Sequence, residues 1–250
     1  MSSGCGAGSW PDSDRYSIES SGMTREYVLD VPADYDTNRA YRLVFTWHWR
    51  GGNANNVVMG SGEAARGPYY GLKSRSNGSA IFVSPEGLVD NGVSGWANPG
   101  GRDIQFLRDM LDRLNAELCI DQDRIFSTGF SYGGMMSLAV GCAMGGVVRA
   151  IAPMAGALFS GCDDGNAPVA FWGSHAPGDS VVGIDQGRQG RDEFLQRNGC
   201  ETTSMPTDPS GCVSYQGCEA GYPVTWCEFA GDHYTPDFAP DATWEFFSQF

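Results

Sequence analysis

Three residues of this chain have the types and the order that nucleophilic acyl chemistry needs. The first is Ser131, in Thr128-Gly129-Phe130-Ser131-Tyr132-Gly133-Gly134. A serine hydroxyl attacks a carbonyl only when a base takes its proton, and the base needs an acid to orient it. The pattern G-x-S-x-G marks a nucleophile elbow, a sharp strand-to-helix turn that exposes the hydroxyl above a sheet. Gly129 and Gly133 supply the smallness required where strand and helix nearly touch. In a chain with 35 glycines among 250 residues, the same pentapeptide also reads as an ordinary glycine turn. The flanks favour the elbow. A short apolar run from Arg124 to Thr128 leads in, and a small-residue helical pattern from Met135 to Met144 leads out.

The partners are sought by order, because an acid and then a histidine follow the serine in elbow-bearing α/β sheets. The chain has three histidines. His48 precedes the serine. His175 leaves only Asp163 and Asp164 as aspartates upstream of it after the elbow helix. His233 follows the last strand, in the loop Ala230-Gly231-Asp232-His233-Tyr234, and is the candidate base. Taken singly it would read as a satisfied surface-loop histidine. Asp179 is the candidate acid, since Val169-Ala-Phe-Trp leads into Gly173-Ser-His-Ala-Pro-Gly-Asp179 at a strand end. Asp185 and Asp192 fall in or beside the next helix, and Asp232 adjoins His233, where neighbours rarely have the geometry to orient a ring. Asp179 is then expected to fix the imidazole tautomer, and His233 to take the Ser131 proton and return it to the leaving alcohol.

An oxyanion needs two donors. One is expected from the Tyr132 backbone N–H, the other from the loop His48-Trp49-Arg50-Gly51-Gly52, with Trp49 and Arg50 both open. His48 reads equally as a loop-shaping group and as a core polar residue with a local partner. Trp49, Trp96 and Tyr132, with Trp172 behind them, are the aromatics expected to line an acyl pocket that stacks on a phenolic ring. Individually, each tryptophan reads more readily as core. Trp96 and Tyr132 rank highest, one lying in a loop and the other abutting the serine.

The elements that must hold these residues alternate. Strands are expected at 25–32, 41–49, 80–85, 124–128, 147–156, 168–173 and 224–230. Residues 103–118 carry apolar positions at 104, 107, 111, 114 and 118, the spacing of an amphipathic helix. Further helices are expected over 187–198 and from an Asp241 N-cap to the end, with a short one near 56–59. Residues 1–20 read as an extended arm tied down through Cys5, 91–101 as a loop carrying Trp96, and 199–222 as a cysteine-rich excursion. Such alternation predicts one α/β domain over 1–250, with a mostly parallel sheet, helices on both faces and active residues at the strands' carboxyl ends.

Bulk properties narrow the partners. A formal net charge of −14 argues against nucleic acid and anionic membrane. The apolar stretch 137–159 is broken by Arg149, Pro153 and three glycines, so it reads as a helix and a buried strand, not a membrane span. Eight cysteines without zinc-ligand spacing predict disulfides and an oxidising compartment. Asn77-Gly78-Ser79 is a glycosylation sequon consistent with secretion. The start, Met-Ser-Ser-Gly-Cys, has no apolar signal core, so a secreted form is expected to have lost its leader. A serine hydrolase needs no metal or cofactor, and no ligand cluster in the sequence suggests one.

Several stretches together resemble the fungal type C feruloyl esterases, secreted carbohydrate esterases in the feruloyl esterase and polyhydroxybutyrate-depolymerase-like group of α/β-hydrolases. These are Phe45-Thr-Trp-His-Trp-Arg-Gly-Gly, Gly129-Phe-Ser-Tyr-Gly-Gly-Met-Met-Ser, His175-x-x-x-Asp179-Ser-Val and Gly231-Asp-His233. The likeness runs from about Cys5 to the C-terminus. It implies hydrolysis of feruloyl and related hydroxycinnamoyl esters on plant cell-wall arabinoxylan, with Ser131 as nucleophile, Asp179 as acid and His233 as base. The chain departs where the family often has His-Gly before the acid loop, having His175-Ala176, and Cys212 and Cys227 look additional. Beside that resemblance, the expected pairing is Cys5–Cys119, Cys142–Cys162, Cys200–Cys218 and Cys212–Cys227, one of roughly a hundred that eight cysteines allow. Acetylxylan esterase or short-polyester depolymerase is the second reading. A non-catalytic, carbohydrate-binding hydrolase-like domain is the alternative from another class.

Overall fold

The computed structural model describes residues 1–62, 65–162 and 165–250. Asp163 and Asp164, the carboxylates upstream of His175, lie outside the described residues. The first half of the chain forms β1 (Asp14–Ser20), β2 (Met23–Asp30), β3 (Tyr41–Trp47), α1 (Ala54–Met59), α2 (Leu72–Ser76), β4 (Ala80–Pro85), β5 (Leu88–Asp90), β6 (Val93–Gly95) and α3 (Arg102–Glu117). The second half forms β7 (Ile120–Phe130), α4 (Tyr132–Ala143), β8 (Ala150–Met154), β9 (Ala170–His175), α5 (Ile184–Arg197), β10 (Ser204–Thr207), β11 (Cys212–Tyr215), β12 (Val224–Glu228) and α6 (Ala239–Ser248).

Among the described residues, one sheet takes the order β1-β2-β4-β3-β7-β8-β9-β12-β11-β10. From β4 to β12 the neighbours run parallel; β1–β2 and β11–β10 flank them antiparallel. Period-two alternation sends successive side chains to opposite faces. Leu43, Phe45 and Trp47 of β3 pack with Leu107 of α3, Met136 of α4 and Phe194 of α5. Val44 packs the other way, with Val57 of α1, Leu72 of α2 and Phe247 of α6. This is the α/β-hydrolase arrangement, with helices on both faces. No helix among the described residues is long and apolar enough to cross a membrane. The stretch 137–159 resolves into the end of α4 and the buried strand β8.

Several elements differ from what the sequence predicts, among them α2 and the strands β10 and β11 within the excursion 199–222. The N-terminal arm ends as an edge strand, β1, paired along its length with β2. The loop carrying Trp96 begins as the turn and second strand of a hairpin, β5–β6. α6 starts at Ala239 with Pro240 in its first turn, so Asp241 does not cap it. Proline's fixed φ favours exactly such a first-turn place, and the Asp241 carboxylate instead takes a two-pronged bond from Arg75 at 2.6 and 2.9 Å.

All eight cysteines are paired, as Cys5–Cys119, Cys142–Cys162, Cys200–Cys218 and Cys212–Cys227. The first ties the N-terminal arm to the start of β7. The last joins directly opposed residues of β11 and β12.

Candidate active site

β7 ends at Phe130 and α4 starts at Tyr132, so Ser131 is the whole turn between strand and helix. Its backbone has φ 56° and ψ −119°, a conformation a non-glycine residue holds only under strain of about 1–3 kcal/mol. Two hydrogen bonds hold it. Ser131 N–H donates to the Met154 carbonyl at 2.9 Å, and the Ser131 carbonyl accepts from Met135 N–H at 2.9 Å. A Cβ on Gly133 would collide with the Trp47 carbonyl oxygen. The helix therefore starts against the end of β3 only because position 133 has no side chain. Tyr70 Oη donates to that same Trp47 carbonyl at 2.6 Å and accepts from Phe130 N–H at 3.4 Å, joining the ends of β3 and β7 below the serine.

His233 reaches the elbow from the loop after β12. Its Nε2 lies 2.9 Å from Ser131 Oγ, and its Nδ1 lies 2.7 Å from Asp179 Oδ2. The carboxylate only accepts, so Nδ1 carries the proton and Nε2 is free to accept from the serine hydroxyl. The ring stacks at a tilt over Phe130, 4.7 Å between centroids. Asp179 sits on the turn after β9 with its side chain fully buried. Its Oδ1 accepts from the backbone N–H groups of Val181 at 2.9 Å and Val182 at 2.8 Å. One carboxylate oxygen is thus held by its own turn, and the other faces the His233 imidazole, with His175 Nε2 at 3.3 Å beside it.

Of the expected oxyanion donors, the Tyr132 N–H opens α4, where the helix dipole favours negative charge. Trp49 and Arg50 follow β3 and are half-buried and exposed respectively. Their turn is closed by Gly52 N–H donating to the Trp49 carbonyl at 3.0 Å. His48 shapes this turn from within the core. Its Nδ1–H donates to the Trp49 carbonyl at 2.8 Å, and its Nε2 accepts from Gly87 N–H at 2.9 Å. Burial pushes its pKa down, so the ring is held neutral.

The aromatic expectations divide. Tyr132 and Trp49 are half-buried; Tyr132 packs on a small apolar cluster of Met135, Ala157 and Val182 beside the serine. Trp96 is corrected. It is 0% exposed, crosses Trp47 edge-on at 4.9 Å, and donates from Nε1 to the His48 carbonyl at 2.8 Å. It cannot line a substrate pocket and instead props the loop that Trp49 occupies. Trp172, 2% exposed, is core as well.

Two groups were not singled out as parts of the site by sequence reasoning. Asp232 bonds Ser180, tying the base loop to the acid loop. Tyr70 lies in an irregular stretch whose sequence gives no signal of its role, whereas the adjacency of Asp232 to His233 was visible.

The elbow at the carboxyl end of a mostly parallel sheet places the chain among the α/β-hydrolases. No protein-family model matches it. Curated relatives do: it is 42% identical over 235 residues to a probable feruloyl esterase C of Aspergillus terreus, covering 90% of this chain and 84% of that protein. It is 40% identical over 266 residues to feruloyl esterase D of Neurospora crassa, covering 100% and 90%. The chain belongs to the feruloyl esterase family of carboxylic ester hydrolases. Among solved structures, an acetyl xylan esterase from Aspergillus awamori matches with a TM-score of 0.72 at 12% identity, over 94% of this chain and 99% of that one. A ferulic acid esterase from Anaeromyces mucronatus, solved with ferulic acid, matches with a TM-score of 0.65 at 16% identity, over 96% and 90%. At these identities the structural likeness establishes the fold.

Proposed function

We propose that this single-domain protein, residues 1–250, is a secreted serine esterase that hydrolyses feruloyl and related hydroxycinnamoyl esters of plant cell-wall polysaccharide. The observation that carries the mechanism is the continuous pair of hydrogen bonds from Ser131 through His233 to Asp179, 2.9 and 2.7 Å.

Ser131 Oγ attacks the ester carbonyl while His233 Nε2 takes its proton. The carbonyl oxygen becomes an oxyanion facing the Tyr132 N–H and a second amide from Trp49–Arg50. The imidazolium, steadied by Asp179, gives the proton to the sugar oxygen as its bond to the acyl carbon breaks and the carbonyl re-forms, so that the sugar leaves as its alcohol and a feruloyl–serine remains. Water then repeats the sequence and frees the acid. Tyr132 and Trp49 are the aromatic surfaces that receive the phenolic ring. Trp96 acts behind Trp49.

Four disulfides support folding in an oxidising compartment and so secretion. Asn77 is exposed at the end of α2, on the turn leading into the N-terminal end of β4. A glycan there would lie at the opposite end of the parallel strands from Ser131. The test is a substrate panel of methyl ferulate, acetylated xylan and hydroxybutyrate oligomers. Turnover of methyl ferulate above the others is expected, and absence of methyl ferulate turnover overturns the acyl assignment.

A further inference from the structure

His175 stands at the end of β9, wholly buried, four residues before Asp179, and the proposed mechanism gives it no task. Its Nε2 lies 2.7 Å from the Val182 carbonyl oxygen and 3.3 Å from Asp179 Oδ2. Both neighbours can only accept, so Nε2 must carry the proton. Its Nδ1 has no hydrogen-bond partner among the described residues and borders a void of about 10 Å³, so the ring's only polar anchorage is through Nε2. Burial lowers its pKa and keeps it neutral. α5 makes room for it: a Cβ at Gly187 would collide with His175 Nδ1. Glycine within a helix costs about 1 kcal/mol against alanine, and here that position accommodates the ring.

We infer that His175 is a positioning residue, which holds the acid loop so that Asp179 presents Oδ2, and only Oδ2, to His233. The Val182 carbonyl belongs to the turn whose Val181 and Val182 amides grip Asp179 Oδ1. Pinning that carbonyl to the rigid end of β9 fixes the direction of both amides and therefore the rotation of the carboxylate. The N–H edge of His175 beside Oδ2 adds a favourable dipole to the same oxygen. The charged and titratable groups around this assembly are Asp179, His233, Asp232 and, from β12, Glu228, which is paired with Arg188. The inference rests on the assignment of Ser131, His233 and Asp179 as the reacting triad.

The experiment compares His175→Leu, which keeps the volume and loses the N–H, with His175→Gln, whose amide nitrogen can replace Nε2. On methyl ferulate, His175→Leu is expected to lower kcat about tenfold with KM within about twofold, the scale of one lost hydrogen bond near a charge. Its acid limb in kcat/KM moves to lower pH, because a misaligned carboxylate supports the His233 imidazolium less. The low-field proton resonance of a carboxylate-bonded imidazole weakens in parallel, and His175→Gln restores both. If His175→Leu does not fold, Gly187→Ala displaces the ring from the helix side and is expected to give the same fall in kcat and the same shift. Unchanged kcat, or equal losses in the Leu and Gln variants with an unmoved acid limb, overturns the inference. Ser131→Ala and His233→Ala run alongside: activity surviving in those would refute the triad itself, a separate outcome.

Discussion

Asp232 Oδ1 accepts from the backbone N–H of Ser180 at 2.7 Å, and its carboxylate also takes the Ser180 hydroxyl at 2.9 and 3.1 Å. The same Oδ1 accepts from the N–H of His233 at 2.8 Å. The residue beside the candidate base is therefore bonded to the residue beside the candidate acid. The hydrogen bonds from Ser180, then the one from His233, draw the Asp232 pKa below its usual value. Asp232→Ala is expected to lower kcat severalfold through a loosened His233 loop, with little change in thermal stability because the group is exposed. Steady-state kinetics beside a melting curve check this; unchanged kcat refutes the clamp.

Trp49 and Trp96 should part company on mutation. Trp49→Ala removes a half-buried ring from the loop after β3 and, with Trp49 as the proposed acyl-binding surface, is expected to raise KM for methyl ferulate more than for an acetyl ester. Trp96→Phe keeps bulk but loses the bond to the His48 carbonyl, which costs about 1 kcal/mol or more when a buried partner is left unpaired. Its expected signature is a lower Tm with no preference among acyl groups. A selective rise in KM for aromatic esters in Trp96→Phe would restore it to the pocket.

The bridges should rank by the loops they close. Cys212–Cys227 spans 15 residues, for which chain entropy gives about 3 kcal/mol. Cys5–Cys119 spans 114 and gives closer to ~5 kcal/mol on the same account. Replacing each pair by serine and measuring denaturant unfolding should show the larger loss for Cys5–Cys119. The reverse order would mean that local fit outweighs chain entropy here.

His48 and His175 are buried and neutral, with pKa values pushed below the ordinary 6.5 first of all by burial. Below that value the unfolded chain binds protons that the fold refuses, so stability must fall as pH falls. The two histidines contribute their full share above 6.5 and lose it progressively toward their depressed folded values. Unfolding free energy measured across that window should slope downward with acidity, and His48→Gln should flatten the slope. An acid-independent free energy contradicts it, whatever the sequence pI of 4.4 suggests.

Much of this was legible because chemistry and fold constrain one another. Ser131 and His233 lie 102 positions apart, yet order along the chain and strand-end placement were enough to nominate them together, and they meet in space. The central strands were readable because burial on both faces makes them continuous apolar runs. The edge strands were not. β10 is exposed throughout and β1 buries only Ser20 fully, and polar residues there look like loop. Trp96 misled for a related reason: it sits in a loop by sequence, but the hairpin β5–β6 folds that loop back over Trp47. Asp232 was passed over as an acid by a sound argument about adjacency, which left its part in binding Ser180 unseen.

The most direct measurement is peptide mass spectrometry of enzyme quenched during turnover of methyl ferulate. A feruloyl adduct on the peptide containing Ser131 is predicted, absent from Ser131→Ala, whose kcat should fall by about a thousandfold or more. An adduct on another residue, or turnover that survives in Ser131→Ala, would contradict the account.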